Sequence, residues 1–178
     1  MTQNSRDREH PVWDVYNLYR TARLNVKYYS SKLHNVQREN FIIEVILAVT
    51  LPASAIAGLW FWETEIGKDI WQYLLILSAI LATLKPFLKL MEKIRKLEEI
   101  VSGYRSLEHD LQKLSISIKQ DEKYTQKHKL KLYEALDRKG VLVQNAPKSK
   151  IDEKLRKQCR IKVSKELPSK SFYLPPRR

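Results

Sequence analysis

The stretch IWQYLLILSAILATLKPFLKLM, Ile70 to Met91, carries no charge through Leu84 and then places Lys85, Pro86 and Lys89 in its last turns. Such a segment belongs in a protein core, in lipid, or at the boundary of a bilayer. As a helix its 22 residues rise about 33 Å, enough to cover a hydrocarbon core of about 30 Å. A second run of the same length, FIIEVILAVTLPASAIAGLWFW, Phe41 to Trp62, lies just upstream. Each contains eleven Leu, Ile, Val or Phe residues, worth about −3 to −7 kcal/mol for insertion at roughly −0.3 to −0.6 kcal/mol apiece. A lysine at mid-membrane costs roughly 2.5–3.5 kcal/mol. Lys85 and Lys89 sit near one end, where their methylenes stay in lipid while the ammonium groups reach headgroups. Trp60 and Trp62 close the first run, and Trp71 and Tyr73 open the second, as interfacial aromatics do.

Chain-wide averages conceal this segregation. A net charge of +13 with 30% charged residues describes an ordinary soluble basic protein, and a soluble bundle that buries both runs is the competing reading. Helices apolar on every side and this long are uncommon in so small a bundle, so the sequence favours two membrane spans, 41–62 and 70–91. Their connection ETEIGKD, Glu63 to Asp69, has three acids and one lysine, whereas Lys and Arg number seven before Phe41 and twenty-three after Met91. Arg38, Lys85, Lys89, Lys93, Arg95 and Lys96 lie closest to the spans. Basic excess next to spans marks the cytoplasmic side, which puts both termini in the cytoplasm. The first forty residues hold no leading apolar core, so the first span is expected to serve as its own anchor. One cysteine, Cys159, permits no internal disulfide and fits a reducing compartment.

Outside the spans the apolar positions are periodic. Before them, Val12, Val15, Tyr19, Ala22, Val26, Tyr29, Leu33 and Val36 alternate steps of three and four, a heptad seam. After them a similar seam runs through Leu97, Val101, Tyr104, Leu107, Leu111, Leu114 and Ile118, with Gly103 its one weak point as a helix. Reflecting the chain about Ile66 makes position n face about 132 minus n, which lays one seam on the other. The expected fold is all-α: a two-span hairpin continued into an antiparallel cytoplasmic stalk, Tyr19 facing Leu111 or Leu114 and Leu33 facing Leu97 or Val101. Two amphipathic helices lying on the membrane are the alternative, though narrow stripes suit a coiled coil better. The segments are then a cytoplasmic helix over 1–40, the hairpin over 41–91, stalk and a short helix over 92–138, and a basic tail over 139–178.

Within the C-terminal region, LKLYEALDRKG reads as a short helix closed by Gly140. VLVQNAP and CRIKVSK read as short strands, the second by alternation of Cys159, Ile161 and Val163 with Arg160, Lys162 and Ser164. From Lys139 onward there are twelve basic and three acidic residues, and LPSKSFYLPPRR, rich in proline, is expected to be extended or disordered.

No catalytic motif is present, and no cofactor or metal is implied. His10, His34, His109 and His128 have no ligand-like spacing and read as surface residues, and there is no phosphate-cradling glycine loop, GxSxG or HExxH. The informative residues lie inside the spans. Thr50, Ser54 and Gly58 recur every fourth position on one, and Ser78 with Ala82, or Ala79 with Thr83, on the other. Small residues admit close helix packing or line a narrow aqueous path in an oligomer, and both readings stand. Glu44, the lone acid in the spans, is expected at the depth of Lys85 and Lys89, either paired with one of them or ringing a pore mouth. Pro52 and Pro86 are candidate hinges, Pro86 where span meets stalk.

The leading helix WDVYNLYRTARLNVKYYSSKLH, two closely spaced spans and the long helix opening KLMEKIRKLEEIVSGYRSLEHDL together resemble the SLATT families, two-span membrane proteins of bacterial nucleotide-signalled conflict and antiphage systems. The resemblance covers roughly Trp13 to Leu136 and rests on architecture and diffuse pattern. It implies a homo-oligomeric pore-forming or membrane-disrupting effector of the bacterial inner membrane, held inactive until a sensor partner or nucleotide signal releases it, with abortive infection as the outcome. The basic tail lies outside that pattern. An adaptor is the other functional reading, tethered to the bilayer and holding nucleic acid, a nucleoprotein partner or anionic lipid through the tail, at about 1 kcal/mol per lysine near an anionic surface.

Overall fold

The computed structural model describes residues 10–50, 65–147 and 151–175, and all regular structure among them is helical. Five α-helices follow one another: α1 (Val12–Thr50), α2 (Glu65–Leu88), α3 (Leu90–Gln120), α4 (Gln126–Gln144) and α5 (Glu153–Glu166), then a 3₁₀ turn, Ser169–Ser171. They form two compact units. One takes in residues up to Lys32 and from Lys96 onward, the other Leu33–Arg95.

In the first unit the heptad seams make the core. Val12, Val15, Tyr19, Leu97, Val101, Tyr104, Leu107, Leu111, Leu114 and Ile118 are all buried, and Val26 packs partly buried against the same cluster. The α1 and α3 segments run antiparallel. Tyr29 stacks on Tyr104 with ring centroids 5.7 Å apart, and Arg23 Nη1 meets Glu108 Oε1 at 2.5 Å. Reflection about Ile66 gives 103 and 109 for these partners, so the observed register departs by one residue. Tyr16 and Leu18 are also buried, which widens the stripe on α1 beyond a two-helix seam. A wider stripe needs further partners: Leu132 and Ala135 of α4 join the same core, and Phe172 of the C-terminal region stacks on Tyr16. Leu142 of α4 drops a methyl where a β-carbon on Gly103 would stand. The weak point of the α3 pattern is thus a close-approach site for its neighbour.

Three features of the C-terminal half differ from the sequence reading. Helix α4 passes Gly140, where a β-carbon would touch nothing, and ends at Gln144, capped by Asn145, whose N–H donates to the Val141 carbonyl at 3.1 Å. VLVQ is therefore helical, because Leu142 continues the face set by Leu132 and Ala135. CRIKVSK lies within α5 rather than in a strand: Cys159 and Val163, four apart, are buried, while Ile161 is exposed. The Asp152 carboxylate caps this helix by accepting from the Leu155 N–H at 2.9 Å. Third, the proline-rich tail folds back, bringing Leu167 and Phe172 onto the core. His10 and His128 are not surface residues but buried ones. His128 Nδ1 accepts from the Thr125 N–H at the start of α4, and Nε2 lies 3.2 Å from Ser117 Oγ of α3.

The second unit contains residues 33–50 of α1, helix α2 and the opening of α3 up to Arg95. Helix α2 starts at Glu65, earlier than Ile70, and runs past Pro86. The chain breaks at Lys89, whose φ of 47° places a non-glycine residue in the left-handed region. The backbone break therefore lies three residues beyond Pro86, the position singled out as a candidate hinge. Proline removes a donor to the preceding turn, and the helix ends shortly beyond it. Among the described residues no single helix is long and apolar enough to cross a membrane, although Gln72–Leu88 and Leu90–Gln120 meet that criterion together as a bent pair. Most of the expected first span, including Pro52, Ser54 and Gly58, lies outside the described residues.

Leu107→Ala or Leu111→Ala is expected to destabilise the first unit by about 2–5 kcal/mol, through lost burial and the cavity left behind. Ile116→Ala, at an exposed position of the same helix, should stay within about 0.5 kcal/mol. Chemical denaturation of the detergent-solubilised chain, followed by circular dichroism, measures both.

Candidate functional site

Two clusters of polar side chains stand out, one in each unit. In the first unit the C-terminal arm, residues 151–175, is fastened along α1. Glu166, at the end of α5, receives Arg23 Nε at 2.8 Å and Lys27 Nζ at 2.7 Å. Arg23 reaches Glu108 of α3 with its other nitrogen, so one guanidinium joins three helices. Its planar fork suits two carboxylates at once. These neighbours explain the charge states. The Lys27 ammonium, followed by the Arg23 guanidinium, holds the Glu166 carboxyl below its ordinary range. Hydrogen bonding to Glu108 raises Arg23 further.

Aromatic contacts reinforce both ends of the arm. Near its start, the Tyr28 hydroxyl accepts the Asp152 N–H at 3.1 Å. Beyond the 3₁₀ turn, Phe172 stacks on Tyr16, with centroids 4.1 Å apart and planes 8° from parallel. The Tyr16 hydroxyl donates to the Tyr173 carbonyl at 2.5 Å. Burial raises the Tyr16 phenol even so, against the lowering influence of Ser115 and the Tyr173 carbonyl. Trp13 meets Phe172 edge-on at 6.2 Å. Sequence reading missed this arm. A signal was available: Leu155, Cys159, Val163 and Leu167 recur every fourth residue, as one face of a helix does, but the alternation of Cys159, Ile161 and Val163 was read in its place.

The second unit joins Glu44 to Lys85: Oε1 and Nζ are 2.7 Å apart, with both side chains partly exposed. Lys89 is exposed at the break after α2. Ser78 is buried, and Thr83 is exposed with its hydroxyl donated to the Ala79 carbonyl of its own helix at 2.9 Å. Thr50 ends α1, and its side chain lies outside the described residues. Large apolar side chains stand exposed along the two helices that bear the ion pair. Phe41, Ile42 and Val45 of α1, and Tyr73, Ile76, Leu77, Ile80, Leu84 and Phe87 of α2, are all exposed, Phe87 by 77%.

No group of three or more His, Cys, Asp or Glu placed to hold a metal occurs among the described residues. No protein-family model, curated protein or solved structure matches the chain.

Removing Glu166 takes away two partly exposed ion pairs, each worth roughly 0.2–1 kcal/mol. Glu166→Ala should therefore raise the labelling rate of the buried Cys159 thiol by about two- to thirtyfold. Phe172→Ala should raise it more, and Ile161→Ala should leave it unchanged. Thiol-reagent kinetics on the folded chain read all three.

Alkali should loosen the same unit. Burial raises Tyr16, Tyr19, Tyr29 and Tyr124, and pushes Tyr104 up to about 12. Unfolded tyrosines ionise near 10 while the folded ones keep their protons, so stability is fully present below pH 10 and lost as pH rises toward 12. Tyr104→Phe should flatten the fall in unfolding free energy between pH 10 and pH 12, by at most about 1.4 kcal/mol per pH unit, as read by denaturant titration at each pH.

Proposed function

We propose that this chain is a two-span membrane effector of the bacterial inner membrane, with both termini cytoplasmic. It assembles into homo-oligomers that open a pore or otherwise breach the bilayer. The exposed apolar surface of the second unit carries this reading. Side chains such as Tyr73 and Phe87, exposed by 74% and 77% on one helix, form a contiguous apolar face that a water-soluble monomer rarely leaves uncovered. Lipid covers such a face at no cost, and a second chain covers part of it in an oligomer.

The Glu44–Lys85 pair fits a cytoplasmic headgroup boundary. Opposite charges relieve each other's desolvation there, and both side chains keep access to water. In an assembled ring the same pairs form a charged pore mouth. Ser54, Gly58, Ser78 and Thr83 then serve as packing or pore-lining positions on the two spans.

Gating belongs to the cytoplasmic unit. Helix α1 runs unbroken from Val12 to Thr50, so the helix gripped by the arm at Tyr16, Arg23 and Tyr28 also bears Glu44. A signal that releases the arm acts directly on a helix of the hairpin. The resemblance to the SLATT families supports a sensor partner or a nucleotide as that signal, and antiphage defence as its setting. The adaptor reading has one observation in its favour: α5 carries six basic and two acidic residues, a composition suited to polyanions.

Ion flux from vesicles containing the reconstituted chain tests the effector reading. Glu166→Lys, which reverses the charge facing Arg23 and Lys27, should raise flux without any added signal. Ser54→Leu should abolish it, and Glu44→Ala should alter ion preference. Absence of flux from both the native chain and Glu166→Lys, with protein incorporated, contradicts the pore and favours the adaptor.

A further inference from the structure

We propose that the cleft between α1 and α5 is a binding site for a small organic phosphate, gripped between Arg20 and Arg160. The cleft holds about 340 Å³ and is lined by Arg20, Asn17 and Leu24 on one side and Arg160, Val163 and Ser164 on the other. Three bases of α1 line the arm. Arg23 and Lys27 are answered by carboxylates, whereas Arg20 meets only the Ser164 hydroxyl, at 3.3 Å. Across from it α5 offers a second guanidinium instead of an acid. Among the described residues neither Arg20 nor Arg160 is ion-paired. Two like charges thus line one recess that has no acid among its lining residues.

An anion in the recess removes that repulsion. Guanidinium groups bind phosphate oxygens in pairs, with geometric fit as well as charge. The Ser164 hydroxyl and the Asn17 amide add neutral hydrogen-bonding groups, and Leu24 and Val163 give an apolar wall for an organic body. A volume of this size suits a single small molecule. A ligand that touches both α1 and α5 binds best when the arm is docked, so it stabilises the docked state by linkage. That regulatory consequence rests on the gating proposed above, whereas binding itself does not.

Calorimetric titration of the full chain in neutral detergent tests the site, with ribose 5-phosphate, adenosine monophosphate and short-chain phosphatidic acid as probes. At least one should bind saturably, with affinity reduced about tenfold or more in Arg20→Ala and in Arg160→Ala. Lys154→Ala, on the outer face of α5, should bind as the native chain does. An unchanged Cys159 labelling rate in the apo variants would show that the arm is still docked. Binding of the soluble esters identifies a free metabolite, and binding of phosphatidic acid alone identifies a lipid headgroup; either supports the site. No saturable binding of any probe overturns it, as does equal weakening by Lys154→Ala, which is the mark of diffuse adsorption. Because no flux is measured, a failed pore reading leaves this result interpretable.

Discussion

Apolar surface has to be taken out of water, and the two units of this chain meet that demand in different ways. In the first, the side chains of the heptad seams turn inward, and Tyr16, Tyr104, Leu107, Leu111 and Ile118 lose nearly all contact with solvent. At about 25 cal/mol per Å² of apolar area, each such side chain contributes on the order of 2 kcal/mol. In the second, the apolar residues outnumber the places available to bury them. Helix α2 is apolar around most of its circumference, and residues on several of its faces remain uncovered. The membrane reading follows from asking what covers them.

Helix α1 belongs to both units, which gives the clasp of the C-terminal arm its significance. Individually its ion pairs are weak, being partly exposed and open to screening by salt. Collectively the Arg23 fork, the Phe172–Tyr16 stack and the Tyr28 contact spread along three turns of one helix. A clasp built from many small contacts is easily biased in either direction. Arg20 is left without an acid in that series, and an anion bridging it to Arg160 would tighten the clasp rather than release it.

The seams were legible in the sequence because a heptad is a long-range pattern, and reflection about the turn put Tyr29 and Arg23 within one residue of their observed partners. The pairing of Glu44 with a lysine could be anticipated on the same geometry. Less could be read where periods are short. Cys159, Ile161 and Val163 alternate like a strand, yet the first and third are also one helical turn apart, and only tertiary contact decides between those periods. Gly140 suggested a helix end that nothing enforced. Lys89 was missed as the break because proline is the visible signal and the backbone yields three residues later. His128 carried no motif, although a Thr-x-x-polar spacing at Thr125 is a helix-start signal that histidine can complete.

The solvent around the second unit is the most direct test of the account. With Cys159 replaced by serine, single cysteines at Ile80, Phe87 and Lys93 can be challenged in proteoliposomes with a water-soluble maleimide, and then probed as spin labels for oxygen accessibility. Ile80→Cys should resist the maleimide and respond strongly to oxygen, Phe87→Cys should behave similarly near the boundary, and Lys93→Cys should label freely. Equal maleimide labelling at all three sites, or a chain that stays folded in the aqueous fraction, would mean that water or protein, not lipid, covers the apolar face.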